Sequence, residues 1–449
     1  MADAAEQPTW IHLLVADPGA GAVLAVVERT GPARLPAIER DMGPFETEAI
    51  AAAVISRLGG ELPILRIAPV GLTWEHRSSH VLVELEPPSD LTPPAGCGWL
   101  PLGEALAESL GPPEIRPALE RSLAEQIDGR PLARRPRWSR PGFLARARGW
   151  MSDRLAEAGT PAVATPRLHQ LWGLSAILRA DTSAGAVFLK SCAAVFADEP
   201  AITAAVGRVD PGAGPTVVAR DDAEGWLLMR DVGGDALGEG PIERWPDGLV
   251  ALGALQRAWL DSLAAIPLED RGPEILATSL PALVEDPILD GLPDDARRRL
   301  RDALPRLDAA CHRLAGLGPG PTIVHGDFHP WNVHRSDDRI AIIDWSDSCL
   351  GHPFLDLVTY VGRTTDVSAR RAMVAGYLDG WSVGFARDDL EEAARLALPL
   401  GAFHQVESYR RIVASLEPDD RWDLESAAPS YARAALGWLE AGLATSVGA

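Results

Sequence analysis

The chain has 449 residues, 47% of them apolar and 23% charged, which is ample for packed interiors and too long for a single core that stops growing near roughly 250–300 residues. Two or three cores are expected, and global disorder is excluded. A formal charge of −21 would repel a phosphate backbone, so nucleic acid is set aside as a partner, while acidity that also serves solubility selects no substrate.

Cys97, Cys192, Cys311 and Cys349 stand far apart, with no CxxC pair and no zinc-finger spacing, as in a reduced cytoplasmic protein. The acidic start MADAAEQPTW lacks the basic and apolar regions of a secretory signal, and no charge-free apolar run reaches about 18 residues. Neither export nor a membrane span is expected, and no repeat period is visible.

In chain order, strand-like runs at 10–16, 22–28 and 80–85 and one amphipathic helix-like stretch, 45–58, predict a small α+β domain. Residues 128–148, DGRPLARRPRWSRPGFLARAR, read as a Pro- and Arg-rich linker entering a helix. Between about 160 and 235 the runs SAILRADT, AVFLKSC, PTVVARD and GWLLMRD predict a small antiparallel sheet, with a hairpin at the Ser-Ala-Gly turn. Apolar-periodic stretches at 249–266, 296–314, 370–383, 389–416 and 428–443 make the remainder mainly helical.

Chemistry concentrates in 323–345, IVHGDFHPWNVHRSDDRIAIIDW, where two strand-like runs bracket a polar loop. Asp327 precedes Asn332 by five positions and Asp344 by seventeen, the spacing logic of a kinase catalytic loop and its metal aspartate. A carboxylate at Asp327 suits orienting a hydroxyl and taking its proton. Oxygens from Asn332 and Asp344 suit Mg2+, which prefers a few hard protein ligands completed by phosphates and water. Each residue alone also suits an ordinary surface turn. Upstream, Lys190 is the only lysine among 42 basic residues, and it ends the strand-like run AVFLK. A lone exception is informative where chemistry uses a compact ammonium rather than a planar fork, as a kinase does with a strand lysine that holds the α- and β-phosphates. Glu199 in FADEPAIT is its candidate partner, although Asp-Glu-Pro also reads as a helix start.

HGDFHPWN followed by IIDW and GHPFLDL resembles the signature of aminoglycoside phosphotransferases, choline kinases and related small-molecule kinases. The resemblance implies a bilobal protein-kinase-like fold after the first domain, with residues 1–138 as an α+β domain and linker, 139–235 as nucleotide lobe and 236–449 as helical lobe. It further implies ATP and Mg2+ as cofactors, Asp327 as catalytic, Asn332 and Asp344 as metal ligands, and Asp356 as a brace beneath the loop. GWLLMRD resembles the family's hinge, so main-chain groups of Leu228, Met229 and Arg230 are expected at the adenine edge. His352 stands where many members have Asp, and LWGLSAI carries no GxGxxG. His329, His334 and His352 are expected to bond within loops.

Residues 10–110 resemble a Nudix hydrolase domain through LPAIERD, ETEAIAAAVISRLG and GWLPLGEAL. Aligned on Gly59, the chain has Ala52, Ala53, Ser56 and Arg57 where that family carries arginine and metal-binding glutamates, which implies a catalytically dead module. An unrelated α+β domain fits the same pattern. The phosphate acceptor, a small molecule with a hydroxyl, is expected near Asp347, His404, Glu407 and Tyr409, the last three of which equally suit helix packing or exposure. A nucleotide-binding sensor without turnover and a diphosphate hydrolase acting through the first domain stand as the competing readings.

Overall fold

In the computed structural model the described residues are 9–442, apart from 18, 28–31, 41–45, 71–79, 89–90, 108–109, 131, 263–265, 267, 337–338 and 422–423. The chain forms two compact units, Met1–Ala194 with Ser415–Asp423, and Val195–Ala414 with Leu424–Ala449.

In the first unit, β1 (Thr9–Asp17) runs antiparallel to β2 (Ala22–Val26) and β3 (Ala37–Arg40). After α1 (Thr47–Leu58), β4 (Ile64–Val70) and β5 (His80–Leu85) form an antiparallel pair, and β5 lies parallel to β1. A parallel pair needs a long crossover, and the segment holding α1 supplies it. β6 (Cys97–Pro101) completes the sheet against β2 and is followed by α2 (Leu102–Ala107) and α3 (Arg116–Asp128). β1 is buried almost throughout, and on one face α2 and α3 set Leu102, Ala105, Ala118, Leu119 and Leu123 against Leu14, Val23, Ala68 and Leu82. α1 starts at Thr47 and ends where Gly59 turns left-handed at φ 80°; Phe45, included in the expected helix, lies outside the described residues.

The Arg-rich linker passes into α4 (Phe143–Glu157), and an antiparallel meander follows: β7 (Arg167–Leu171), β8 (Ser175–Thr182) and β9 (Gly185–Cys192). The expected hairpin is present, with Thr182 opposite Gly185 and a positive φ of 103° at that glycine.

The second unit opens with α5 (Glu199–Val209) and the hairpin of β10 (Val217–Asp221) and β11 (Trp226–Arg230). β12 (Asp235–Ala236) leads to α6 (Pro246–Leu260), α7 (Pro273–Glu285) and α8 (Asp294–Ala315). β13 (Thr322–Val324) precedes the hairpin of β14 (Val333–Ser336) and β15 (Arg339–Ile342), and β16 (Cys349–Gly351) returns to pair with β13. β14 also pairs with β12. α9 (Leu357–Val361), α10 (Val367–Trp381), α11 (Arg387–Ser415) and α12 (Leu424–Ala441) finish the chain. One apolar core joins these helices to the strands and contains Leu249, Leu252, Leu300, Leu314, Phe328, Trp345, Tyr360 and Phe403. The expected helices form with ends shifted by a few residues, except that the stretch expected to reach 266 ends at Leu260; 263–265 and 443, included in the expected helices, lie outside the described residues. α7 has no counterpart among the expected stretches: Pro281 interrupts its interior, although Pro273 sits at the first helical position where proline is favoured and Leu276, Leu280, Leu283 and Val284 present one buried face.

Candidate active site

The loop 325–332 leaves β13 and is fixed from below by Asp356, which is 2% exposed. The Asp356 carboxylate accepts the N–H of His325 and of Gly326, each at 2.9 Å, and an amide N–H of Gln256 at 3.3 Å. Burial pushes its carboxyl up to about 7 against the pull of those backbone donors. Gly326 has φ 85°, and a Cβ there would lie 2.2 Å from the Asp347 carbonyl oxygen, so only glycine fits. The Gln405 amide donates to the Gly326 carbonyl from α11.

His325 is fully buried, and burial holds its pKa below the usual value. Its Nε2 donates to the Ile343 carbonyl at 3.0 Å and its Nδ1 accepts from the Asp327 N–H at 3.3 Å, which defines a neutral ring tying the two halves of the motif together. Asn332 completes the tie: its side-chain amide donates to the Asp327 carbonyl at 3.0 Å, and its own carbonyl accepts the Ile343 N–H at 2.9 Å. Asp327, Asn332 and Asp344 therefore sit on one hydrogen-bonded frame. Asp344 has φ 64°, the one positive value at a non-glycine among the described residues, and Ser346 donates to its carboxylate at 2.8 Å. Aspartate tolerates that region better than most residues, and such backbone strain collects at functional sites.

Burial in this recess pushes the Asp327 carboxyl up to about 6; Arg363 opposes the rise and the charge of Asp344 adds to it. The side chain is nevertheless 39% exposed, so the surrounding protein does not seal it off. His329 Nε2 lies 3.7 Å from Asp327, but burial lowers the pKa of His329 to about 4, and the contact is not an ion pair at neutral pH. Arg363, exposed just beyond α9, was missed: GRTT carries no motif, and only the fold brings it near Asp327.

Of the proposed acceptor contacts, Asp347 is 9% exposed and committed to Arg271 at 3.0 Å and to Ser408. His404 is a core residue, 3% exposed, with Nε2 3.4 Å from Cys349 Sγ. Glu407 pairs with Arg410 at 2.6 Å, and Tyr409 stacks on Tyr431 at 5.8 Å. His352 is a loop bonder, its Nε2 donating to the Leu317 carbonyl at 3.1 Å while Nδ1 caps Phe354. Burial lowers the pKa of His334.

Lys190 is carried by the first unit, 7% exposed on β9 opposite Ile177 of β8. The other candidates belong to the second. Glu199 is the first residue of α5, 2% exposed and followed by Pro200, so the helix-start reading of that triplet holds. Leu228, Met229 and Arg230 end β11; Leu228 is fully buried, and the Arg230 N–H is already donated to the Thr216 carbonyl at 2.9 Å.

Among the described residues no three His, Cys, Asp or Glu gather as a metal cluster. A magnesium site does not require one, since a few hard protein oxygens suffice; with the Asn332 nitrogen bonded to Asp327, the Asn332 amide oxygen and the Asp344 carboxylate are the groups that could hold one.

The Asp327 backbone is tied to Asn332, and Asn332 to the residue before Asp344, so a carboxylate, an amide and a second carboxylate share one loop frame, the equipment of a phosphotransfer enzyme. The chain belongs to the phosphotransferase enzyme family, whose model matches residues 172–397, just over half of its length. Solved structures similar to it include a choline/ethanolamine kinase family protein from Mesorhizobium loti, with 18% identity over 66% of this chain and 96% of that one and a TM-score of 0.48. A type I macrolide 2'-phosphotransferase is 16% identical over 63% and 95%, with a TM-score of 0.45. A spectinomycin phosphotransferase in complex with ADP and spectinomycin is 13% identical over 65% and 98%, with a TM-score of 0.42. No curated protein matches. Among the described residues no helix is long and apolar enough to cross a membrane.

Proposed function

We propose that this chain transfers the γ-phosphate of ATP to a hydroxyl group of a small molecule. The observation that carries the reading is the frame of hydrogen bonds from the Asp327 carbonyl through Asn332 to Ile343, which ties Asp327 and Asn332 to the residue before Asp344, close enough that the Asp344 charge acts on the Asp327 carboxyl. Asp327 orients the acceptor hydroxyl and takes its proton. With its pKa near 6 it is ionised at neutral pH yet more basic than a free carboxylate, which suits a general base. Asn332 and Asp344 would hold Mg2+, which when bound neutralises charge on the phosphates.

Residues 139–235 bind the nucleotide in this reading, and 236–449 carry the catalytic loop and the acceptor. Lys190 meets the α- and β-phosphates, Glu199 orients Lys190, and main-chain groups of Leu228 and Met229 meet the adenine. The Arg230 N–H, spent on Thr216, is not among those donors. The first domain, Nudix-like in sequence, acts without chemistry of its own, since Ala52, Ala53, Ser56 and Arg57 give α1 no carboxylate at the metal-binding positions.

ATP consumption measured against aminoglycosides, amino alcohols, sugars and nucleosides tests this directly. Acceptor-dependent ADP release that Asp327→Asn abolishes is expected. Nucleotide binding without turnover for any acceptor would instead favour a sensor, and hydrolysis that survives in Asp327→Asn would favour the first domain as its source.

A further inference from the structure

Within the first unit the turn between β7 and β8, Trp172, Gly173 and Leu174, is held from two sides. On one side the Leu171 N–H donates to Thr47 Oγ1 at 3.0 Å, and Thr47, the first residue of α1, is 1% exposed. On the other, Gly173 lies against Ser415–Asp423, so closely that a Cβ on it would stand 3.0 Å from Asp420 Cβ and 3.4 Å from Leu416.

That second wall is itself anchored to the first domain. Asp420 pairs with Arg66 of β4 at 3.0 Å, Arg66 reaches Glu84 of β5 at 3.2 Å, and Glu84 also takes Ser122 of α3 at 2.6 Å and linker Arg135 at 3.2 Å. Arg66, Glu84 and Asp420 are 4%, 6% and 4% exposed. Losing one member of such a set strands a buried charge, so it does not loosen piecemeal. Glu417 adds a bond from the Arg134 N–H at 2.7 Å.

A turn with one glycine cannot adapt its backbone around phosphates as a glycine-rich loop does. It therefore gains most from being fixed in advance, because ordering a loop on binding costs affinity. We propose that the amino-terminal domain braces the β7–β8 turn, which joins the first two strands of the proposed nucleotide lobe where a kinase carries its phosphate-covering loop, with Thr47 and the Arg66–Asp420 pair as its positioning residues. The proposal rests on the nucleotide reading above, and it gives the first domain a role that requires no catalysis there.

Calorimetric titration of the full-length protein with AMP-PNP and Mg2+ tests it. Thr47→Val keeps the shape and removes the acceptor of the Leu171 N–H, whereas Thr47→Ser keeps the hydroxyl. If the released turn occupies its competent position about a fifth of the time, Thr47→Val binds about 5-fold more weakly while Thr47→Ser binds as wild type. Gly173→Ala, which pushes the turn off Asp420, is expected to weaken binding similarly and serves if the valine variant does not fold. A lowered melting temperature with unchanged nucleotide affinity in Thr47→Val or Gly173→Ala would overturn the brace and leave the kinase reading intact. Failure of wild type to bind AMP-PNP would overturn both.

Discussion

Replacing Gly326 with alanine adds one methyl group at the point where the loop that carries Asp327 touches the segment after Asp344. At φ 85° an L-residue costs about 1–2 kcal/mol in the left-handed region. The new Cβ would also sit 2.2 Å from the Asp347 carbonyl oxygen, a backbone atom that cannot swing aside, so one of the two segments must move at a further cost of about 1–3 kcal/mol. The expected loss is about 2–5 kcal/mol of stability, measured by urea unfolding. Any shift also disturbs the Gly326 bond to Asp356, and with it the placement of Asp327, where misplacement by about 1 Å costs on the order of 100-fold in rate. Gly233→Ala is the control: its φ is 67° but nothing lies within 4 Å, so it should cost only about 1–2 kcal/mol and leave turnover unchanged. A Gly326→Ala protein as stable and as active as Gly233→Ala would refute the packing argument.

The remaining predictions concern charge. Asp327 has a raised folded pKa, so its contribution to stability is present below the usual carboxylate value and lost as pH rises through about 6; Asp327→Asn should therefore stabilise the metal-free protein above pH 6 and give no gain near pH 3. As a base Asp327 must be ionised, so kcat/KM of the free enzyme should fall below about pH 6. Arg363→Gln should move that limb upward, because Arg363 holds the carboxyl down, and an unmoved limb contradicts the assignment. Asp356→Ala leaves two buried backbone N–H groups without an acceptor and should cost about 2–6 kcal/mol in unfolding assays. Lys190→Arg keeps the charge but puts a longer planar fork in a 7% exposed slot, and should reduce turnover about 10-fold or more; a fully active variant would show that an ammonium is not needed.

The candidate site was legible as a candidate because Asp327, Asn332 and Asp344 lie within the single segment 323–345 and each residue type has a chemical reason to be there. The β8–β9 hairpin was legible from two apolar runs around a short Gly-containing turn, and the long helices from their apolar period. What was not legible is non-local or masked by proline. Pro281 interrupts the interior of α7. Gln256, Arg271, Arg363 and Gln405 come to the loop from separate elements, and no spacing in the sequence links them to Asp327. His404 and Asp347 looked available as acceptor contacts by residue type alone, whereas the fold commits one to the core and the other to Arg271. The return of Ser415–Asp423 to the first unit, some 350 residues from Arg66 in sequence, was equally invisible.

The most direct test separates binding from transfer at one carboxylate. With an acceptor identified by the ATP-consumption panel, Asp327→Asn should bind AMP-PNP and Mg2+ like wild type while acceptor-dependent ADP formation falls to background, and wild-type turnover in that variant would contradict the assignment of Asp327 as the group that receives the proton.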